Sequence, residues 1–95
     1  MPRLIWSQAA QADMQRLFRF LANHNRSAAS RAVRAIRAGV AVIAKYPGIG
    51  RPFEGMASEY REWLVAFGDS GYMVLYRYDG ETALITAIRH QRELG

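Results

Sequence analysis

Two arginines and one histidine in the second half of the chain are the residues whose types could do chemistry: Arg61, Arg77 and His90. They fall on three successive strand-like segments, so a sheet could bring their side chains together. Arginine can hold and neutralise a phosphate, and histidine can move a proton near neutral pH. With Glu54 in the preceding loop as a possible second proton carrier, the set predicts metal-independent cleavage of RNA.

A structural role is the alternative for each of these residues. Glu59 and Glu62 flank Arg61 and could pair with it, Arg77 could pair across the sheet, and His90 could be a satisfied residue at a strand end. The types of the residues alone leave both interpretations open.

Several other kinds of site are not expected from the sequence. The chain has no cysteine, and the histidines, His24 and His90, have no carboxylates near them at the spacing of a ligand set. Gly48-Ile49-Gly50-Arg51 lacks the Lys-Ser/Thr of a phosphate-binding loop, and no serine lies in a nucleophile elbow. We therefore expect neither a metal nor a cofactor.

The charge is divided unevenly along the 95 residues, which carry a net charge of +5. Residues 1–53 hold nine basic residues and one acid, Asp13, for a net charge of +8, whereas residues 54–95 have a net charge of −3. Arginines dominate the basic half, among them Arg31, Arg34 and Arg37. This pattern would attract nucleic acid or an acidic protein, although it is also typical of a solvated helix surface.

The best strand in the chain is Gly71–Tyr78, a run of aromatic and β-branched residues. Asp79-Gly80 follows it and predicts a hairpin with a type I′ turn. A second strand-like run, Trp63 to Phe67, precedes it, and a third extends to about His90. These three segments predict an antiparallel meander, with unbroken alternation in the last strand.

Two helices are expected before the meander. Arg3–Trp6 reads as a strand, and Ser7 as the N-cap of a helix whose apolar stripe runs from Ala10 to Leu21. A turn at residues 23–25 leads to a second helix that starts near Ser27 and ends at Tyr46-Pro47. Gly39 interrupts this helix, so either packing requires a glycine there or the helix is weakened.

The element order is therefore β-α-α-β-β-β, an α+β domain with a helical hairpin packed on a small, mainly antiparallel sheet. We expect one domain over residues 1–95. No apolar run approaches the length of a membrane span, and no secretory signal segment is visible, so we expect a cytoplasmic protein without a membrane partner. Which edge of the meander receives the first strand is left open.

An ordered set of short motifs runs over essentially the full chain. The motifs are Ile5-Trp6-Ser7, Leu21-Ala22-Asn23-His24-Asn25, Tyr46-Pro47-Gly48-Ile49-Gly50-Arg51-Pro52, Tyr60-Arg61-Glu62-Trp63, Gly71-Tyr72 through Tyr76-Arg77, and Ile88-Arg89-His90-Gln91-Arg92-Glu93. Together they resemble the ParE branch of the RelE/ParE toxins. The resemblance implies the toxin of a type II toxin–antitoxin module, inactive when bound to a cognate antitoxin. It also implies the same β-α-α-β-β-β fold.

Two activities compete within that superfamily. ParE-like toxins are associated with inhibition of DNA gyrase, and the Pro-Gly-Ile-Gly-Arg-Pro loop and the terminal His-x-x-Arg-Glu are similar to theirs. RelE-like toxins cut mRNA on the ribosome, and Arg61 and His90 match positions where some nuclease members keep an arginine and a general acid or base. The chain has a single lysine, Lys45, whereas RelE-type enzymes carry lysines before the position of Tyr60. The motifs favour gyrase over the ribosome and mRNA.

Two further expectations concern partners. The acidic, amphipathic segment of an antitoxin would be steered to the basic half, with Arg31, Arg34 and Arg37 available for its carboxylates. Its apolar residues would need a groove or a sheet edge, so the helical hairpin and the sheet are both candidate surfaces. A hypothesis from a different class is a non-toxic binding module derived from such a toxin.

Overall fold

The computed structural model describes residues 2–93 and confirms the predicted order of helices and main strands. The elements are β1 (Arg3–Trp6), α1 (Gln8–Ala22), α2 (Arg26–Lys45), β2 (Arg51–Pro52), β3 (Tyr60–Phe67), β4 (Ser70–Tyr78), β5 (Thr82–His90) and a 3-10 turn (Gln91–Glu93). The strands form one mixed sheet in the order β1-β5-β4-β3-β2. β1 runs parallel to β5, which answers where the first strand lies, and the other neighbours are antiparallel. The short strand β2 was not predicted, because its two residues lie inside a loop rich in glycine and proline.

Both helices begin at polar caps. The hydroxyl of Ser7 accepts a hydrogen bond from the amide of Ala10, as predicted, and the side chain of Asn25 accepts one from the amide of Ala28. These contacts satisfy amides of the first turn that have no partner within the helix. The residues between the helices, Asn23 to Asn25, therefore end one helix and start the next.

The helical hairpin covers one face of the sheet, and the core lies between them. The buried residues of this core are Ala10, Met14, Leu17, Ala32, Ile36, Val40, Ile43, Val65, Tyr72, Val74, Tyr76, Ala83, Ile85 and Ile88. Most of the apolar residues predicted for the helix stripes form the part of this core that the helices contribute. Within the described residues, no layer of helices covers the other face of the sheet, and Leu64 on that face is exposed.

Two tight turns connect the strands of the meander. Gly68 has φ of +63° and the following Asp69 does not have positive φ, as in a type II′ turn. The predicted type I′ turn after β4 is wrong, because Gly80 has positive φ but Asp79 does not. Instead, the Asp79 carboxylate accepts hydrogen bonds from the amides of Glu81 and Thr82. These hydrogen bonds hold the pKa of Asp79 below its ordinary value.

The unbroken alternation predicted for β5 is wrong, because the strand contains a β-bulge. Leu75 is opposite Ala87 while Tyr76 is opposite Ile85, so Thr86 is an extra residue between them. The Thr86 hydroxyl donates to the Leu75 carbonyl. Alternation was predicted to continue through this point. The bulge reverses it, so Ile88 joins the core that Ile85 belongs to.

No helix within residues 2–93 is long and apolar enough to cross a membrane.

Gly39 is explained by close packing of α2 on the sheet. A Cβ atom added at this position would lie 2.3 Å from Cγ2 of Val65. Val65 is buried, and its branched side chain has few alternative rotamers. Of the two explanations offered by the sequence, packing therefore requires the glycine.

We predict that Gly39→Ala destabilises the protein even though alanine favours helices by about 1 kcal/mol. The added methyl group must displace Val65, and overpacking of a core costs about 1–3 kcal/mol. Urea unfolding should show a lower midpoint for this variant. Gly48→Ala is the control, because a Cβ there meets no atom within 4 Å. Equal or higher stability of Gly39→Ala would contradict the packing account.

Candidate functional site

Arg61 is committed to the loop between α2 and β2. Its guanidinium Nη1 donates to the Gly50 carbonyl at 2.6 Å and to the Gly48 carbonyl at 3.3 Å. Among the described residues it has no carboxylate partner, so the predicted pairing with Glu59 or Glu62 is wrong. Glu62 pairs with Arg51 instead, and Glu59 lies near Arg77. Arg61 thus fixes the course of the backbone before β2.

The hydroxyl of Tyr76 holds the same loop from inside the core. It donates to the Pro47 carbonyl at 2.7 Å and accepts from the Gly50 amide at 2.9 Å. Tyr76 is fully buried, and a Cβ on Gly50 would lie only 2.6 Å from the hydroxyl oxygen. Burial raises the pKa of Tyr76, against smaller opposing effects of the Gly50 amide and the Arg61 charge. We call this arrangement of Tyr76, Arg61 and residues 47–50 the clasp.

Arg77 lies on the opposite face of the sheet from Arg61. Its neighbours across the strands are Tyr60 and Leu84, whereas Arg61 lies opposite Tyr76 on the face that the helices cover. The Arg77 guanidinium Nε is 3.8 Å from the Glu59 carboxylate, at the limit of an ion pair. The predicted structural alternative, a pairing across the sheet, therefore describes Arg77.

His90 lies at the other end of the sheet. Its ring packs edge-on against the ring of Tyr72, with the centroids 5.2 Å apart. The Nδ1 atom accepts a hydrogen bond from the Arg92 amide, and the His90 amide donates to the Glu93 carboxylate. His90 therefore starts the 3-10 turn that ends the described chain.

The structure does not bring Arg61, Arg77 and His90 together. Arg61 lies opposite Tyr76 and His90 opposite Tyr72, so they are separated by four residues, or about 13 Å along the strands. The expectation that the central strand aligns Arg61 with His90 is wrong, because the register shifts them apart. The expectation that Arg77 joins them is wrong, because alternation turns it to the other face. Glu54 is exposed in the loop between β2 and β3.

A network of charges at this end of the sheet was missed by reasoning from the sequence. The Asp13 carboxylate on α1 accepts from the Ile88 amide and pairs with Arg89. β1 has already ended at this level, so Asp13 supplies the partner that a longer β1 would have given. Arg16 continues the network with a hydrogen bond of 2.8 Å to Glu93. The signal in the sequence was that Asp13 is the single acid of the first 53 residues.

Glu93 is held in its charged form by this network. Burial raises its pKa, but the hydrogen bond from the His90 amide and the charges of Arg16 and Arg89 outweigh that effect. The net pKa of Glu93 is therefore below the ordinary value of 4.5.

An apolar cleft of about 560 Å³ opens beside this network. Its lining residues are Arg16, Leu17, Phe20, Leu21, Tyr72, His90, Arg92 and Glu93. Phe20 is 66% exposed, the largest fraction among the large apolar residues of the described chain. We call this the C-terminal cleft. The polar side chains that line it, those of Arg16, His90, Arg92 and Glu93, suit binding as well as catalysis.

A second depression lies where the two helices meet β1. It has a volume of about 500 Å³ and is lined by Leu4, Trp6, Gln11, Met14, Gln15, Arg37, Val40 and Ala41. A neighbouring pocket shares Met14, Gln15 and Arg37 and extends it along the hairpin to Phe18 and Val33. We call the two together the helical groove. Arg37 borders it, while Arg31 and Arg34 are exposed elsewhere on α2.

Within residues 2–93, no group of three or more His, Asp or Glu residues is arranged to hold a metal ion.

Comparison with solved structures shows that the same fold occurs in two toxin–antitoxin systems. The fold matches the chromosomal ParDE toxin–antitoxin system of P. aeruginosa with a TM-score of 0.72 and 19% identity, covering 95% of this chain and 96% of that one. It also matches the RelBE2 toxin–antitoxin complex of Mycobacterium tuberculosis with a TM-score of 0.65 and 19% identity, covering 96% and 100%. The chain therefore shares its fold with chains of both of these systems.

Comparison of sequences identifies the protein family. The family model described as the ParE toxin of the type II toxin–antitoxin system parDE matches residues 4–95. Toxin RelE3 of Caulobacter vibrioides is 34% identical over 84 residues, 88% of each chain. The chain belongs to the ParE toxin family, and the resemblance inferred from its motifs is confirmed.

We predict that Tyr76→Phe destabilises the protein by about 1–3 kcal/mol, because the buried Gly50 amide loses its acceptor. Tyr78→Phe is a matched control, since its hydroxyl donates only to the exposed carbonyl of Gly80. We expect that control to change stability by less than about 0.5 kcal/mol. Equal unfolding midpoints of the two variants in urea would contradict the role given to the clasp.

Proposed function

We propose that this toxin acts by binding and inhibiting DNA gyrase. The observation that carries the proposal is the separation of Arg61, Arg77 and His90. Arg61 spends its guanidinium on two backbone carbonyls, and Arg77 faces away from the helices. A nuclease needs its phosphate-binding and proton-transfer groups within about 3 Å of one reacting centre. An inhibitor that acts by binding needs only a surface, so the separation favours the ParE-type activity.

The arrangement of charge supports a partner of this kind. Six arginines of the two helices are Arg16, Arg19, Arg26, Arg31, Arg34 and Arg37. Of these, Arg16 has a carboxylate partner among the described residues. A cationic helical surface attracts an enzyme that is itself bound to DNA, and the attraction falls with ionic strength.

We predict that the purified protein inhibits supercoiling by gyrase and that His90→Ala inhibits it equally well. In a surface-binding mechanism the His90 side chain serves only local structure, through its packing on Tyr72 and the hydrogen bond that its Nδ1 accepts from the Arg92 amide. The supercoiling assay should be run beside primer extension on translated mRNA. Codon-dependent cuts by the wild-type protein that disappear in His90→Ala would contradict the proposal.

That contrary result would favour the second candidate, a ribosome-dependent mRNA endonuclease. The observation in its favour is the C-terminal cleft, where His90, Arg16 and Arg92 surround an apolar pocket. The similarity to the relative named Toxin RelE3 also favours this second candidate. In that case His90 would be the proton carrier. Arg61 and Arg77 would contribute only by stabilising the fold, because neither borders this cleft.

We further propose that a cognate antitoxin holds the toxin inactive by laying an amphipathic helix in the helical groove. The groove is lined by apolar residues such as Leu4, Met14 and Val40, which fit the apolar face of a helix. Arg37 borders the groove, and Arg31 and Arg34 lie on the same helix, so all three are available to carboxylates on the edge of that partner.

We predict that Arg37→Glu slows association with the antitoxin and weakens the dependence of the association rate on salt. Arg31→Glu and Arg34→Glu should have smaller effects of the same sign, because only Arg37 lines the groove. Arg92→Glu is the control, since it makes the same change of net charge away from the groove. Association rates measured at several salt concentrations that are equal for Arg37→Glu and Arg92→Glu would remove Arg37 from the interface.

Expression in cells separates a toxin from the non-toxic binding module. Growth arrest that is relieved when a cognate antitoxin is co-expressed supports the toxin. Harmless accumulation of soluble, folded protein supports the binding module.

A further inference from the structure

Among the strands that the structure describes, none lies beside the outer edge of β3 over most of its length. β2 pairs only with Arg61 and Glu62, and the chain then leaves the sheet. The remaining residues of the strand, Trp63 to Phe67, therefore form an open edge of the described sheet.

The pairing with β4 shows which backbone groups on this edge are free. The two-residue turn at Gly68 and Asp69 makes Phe67 and Ser70 a hydrogen-bonded pair, and such pairs alternate along an antiparallel ladder. Val65 therefore points its amide and carbonyl toward β4, and Leu64 and Ala66 point theirs outward. The bond from the Phe53 amide to the outward carbonyl of Tyr60, at 3.0 Å, agrees with this assignment.

Leu64 and Ala66 are thus two residues with unpaired backbone groups. Both are exposed, and no hydrogen bond within residues 2–93 reaches the outward amide or carbonyl of either one. The segment Trp63-Leu64-Val65-Ala66-Phe67 contains no charge and no proline. Natural edge strands usually carry such residues, because an uncharged edge pairs readily with another chain. This edge lacks that protection.

A cleft of about 420 Å³ adjoins the open edge. Its apolar lining residues are Ile49, Trp63, Leu64 and Met73, and its polar ones are Gln91 and the ion-paired Arg51 and Glu62. Ile49 is 39% and Leu64 is 46% exposed, so the two present apolar surface to solvent. The clasp holds the loop that carries Ile49, and a surface ordered in advance loses less entropy on binding. The cleft can take one apolar side chain from a strand laid against Leu64 and Ala66.

We propose that the toxin's target protein docks here, adding an uncharged extended segment to the sheet beside Leu64 and Ala66 and placing an apolar side chain in the Ile49–Leu64 cleft. The identity of that target as gyrase rests on the proposed function. Backbone pairing selects an extended polypeptide, and the absence of charge on the edge selects an apolar one. The helical groove lies at β1, the far edge of the sheet.

The distance between the two edges suits inhibition by an antitoxin without shared residues. β1 and β3 lie three strand spacings apart in the sheet, or about 14 Å. An antitoxin in the helical groove therefore lies close enough to obstruct a large target at β3. A variant of the open edge should consequently lose the target and keep the antitoxin.

The test compares Ala66→Pro with Ala66→Ser in the full chain. Proline removes the outward amide and is tolerated at edges whose amides face solvent, whereas serine keeps that amide. For Ala66→Pro we expect at least about a tenfold loss of potency in gyrase supercoiling inhibition, with wild-type affinity for the antitoxin. Ala66→Ser should behave as wild type. Equal potency of both variants would overturn the proposal.

A second variant and a measurement on the unaltered protein cover the case in which Ala66→Pro does not fold. Leu64→Lys places a charge on the exposed edge and should also weaken inhibition at least about tenfold, because a buried charge opposes strand addition. In hydrogen exchange of the wild-type protein, purified gyrase should slow exchange of the Leu64 and Ala66 amides. Unchanged exchange in the bound complex would overturn the proposal.

The remaining outcomes separate this proposal from the proposed function. If the wild-type protein leaves gyrase active, gyrase is not the target, and growth arrest then decides the role of the edge. Arrest lost in Leu64→Lys with antitoxin affinity retained would support a target at the edge, and unchanged arrest would overturn it. Reduced affinity for purified antitoxin in Leu64→Lys would assign the edge to the antitoxin. A wild-type dimer that Leu64→Lys makes monomeric would assign it to a second copy, and either result would overturn the proposal.

Discussion

The hydrogen bonds that the Tyr76 hydroxyl and the Arg61 guanidinium make to residues 47–50 determine much of the remaining architecture. These hydrogen bonds hold the segment after α2 against the sheet. The chain leaves the sheet again after a single short strand, β2. This explains why residue 50 is a glycine: a Cβ atom there would collide with the Tyr76 hydroxyl. It also explains why the edge of β3 is covered at one end and open at the other.

The same interaction separates this protein from the catalytic arrangement that its residue types suggest. Arg61 has the right chemistry for a phosphate, but two carbonyl oxygens occupy its guanidinium, and His90 lies about 13 Å farther along the strands. The polar groups around His90 form their own closed network through Asp13, Arg16 and Glu93. This separation of Arg61 from His90 is the observation on which the proposed binding mechanism rests.

Local pattern predicted most of the fold, because helices and main strands follow from periodicity and caps. Ser7 and the break at Pro47 marked helix ends correctly. The bulge at Thr86 was not visible, since an extra residue in a ladder depends on the partner strand. The site was harder to predict, because the pairing that places Arg77 and Arg61 on opposite faces and the register that separates Arg61 from His90 both depend on contacts between distant parts of the chain. The clasp depends on a buried hydroxyl, and no local pattern distinguishes Tyr76 from a tyrosine that only packs.

The central claim is that the protein acts by occupying a surface of its target and not by turnover. The most direct measurement is a titration of purified gyrase, at concentrations well above the dissociation constant, with the purified protein. The account predicts that inhibition rises linearly and ends at a fixed molar ratio close to that of toxin to binding sites, and that dilution restores supercoiling. No inhibition at molar excess, together with cleavage of many translated mRNA molecules by each toxin molecule, would contradict it.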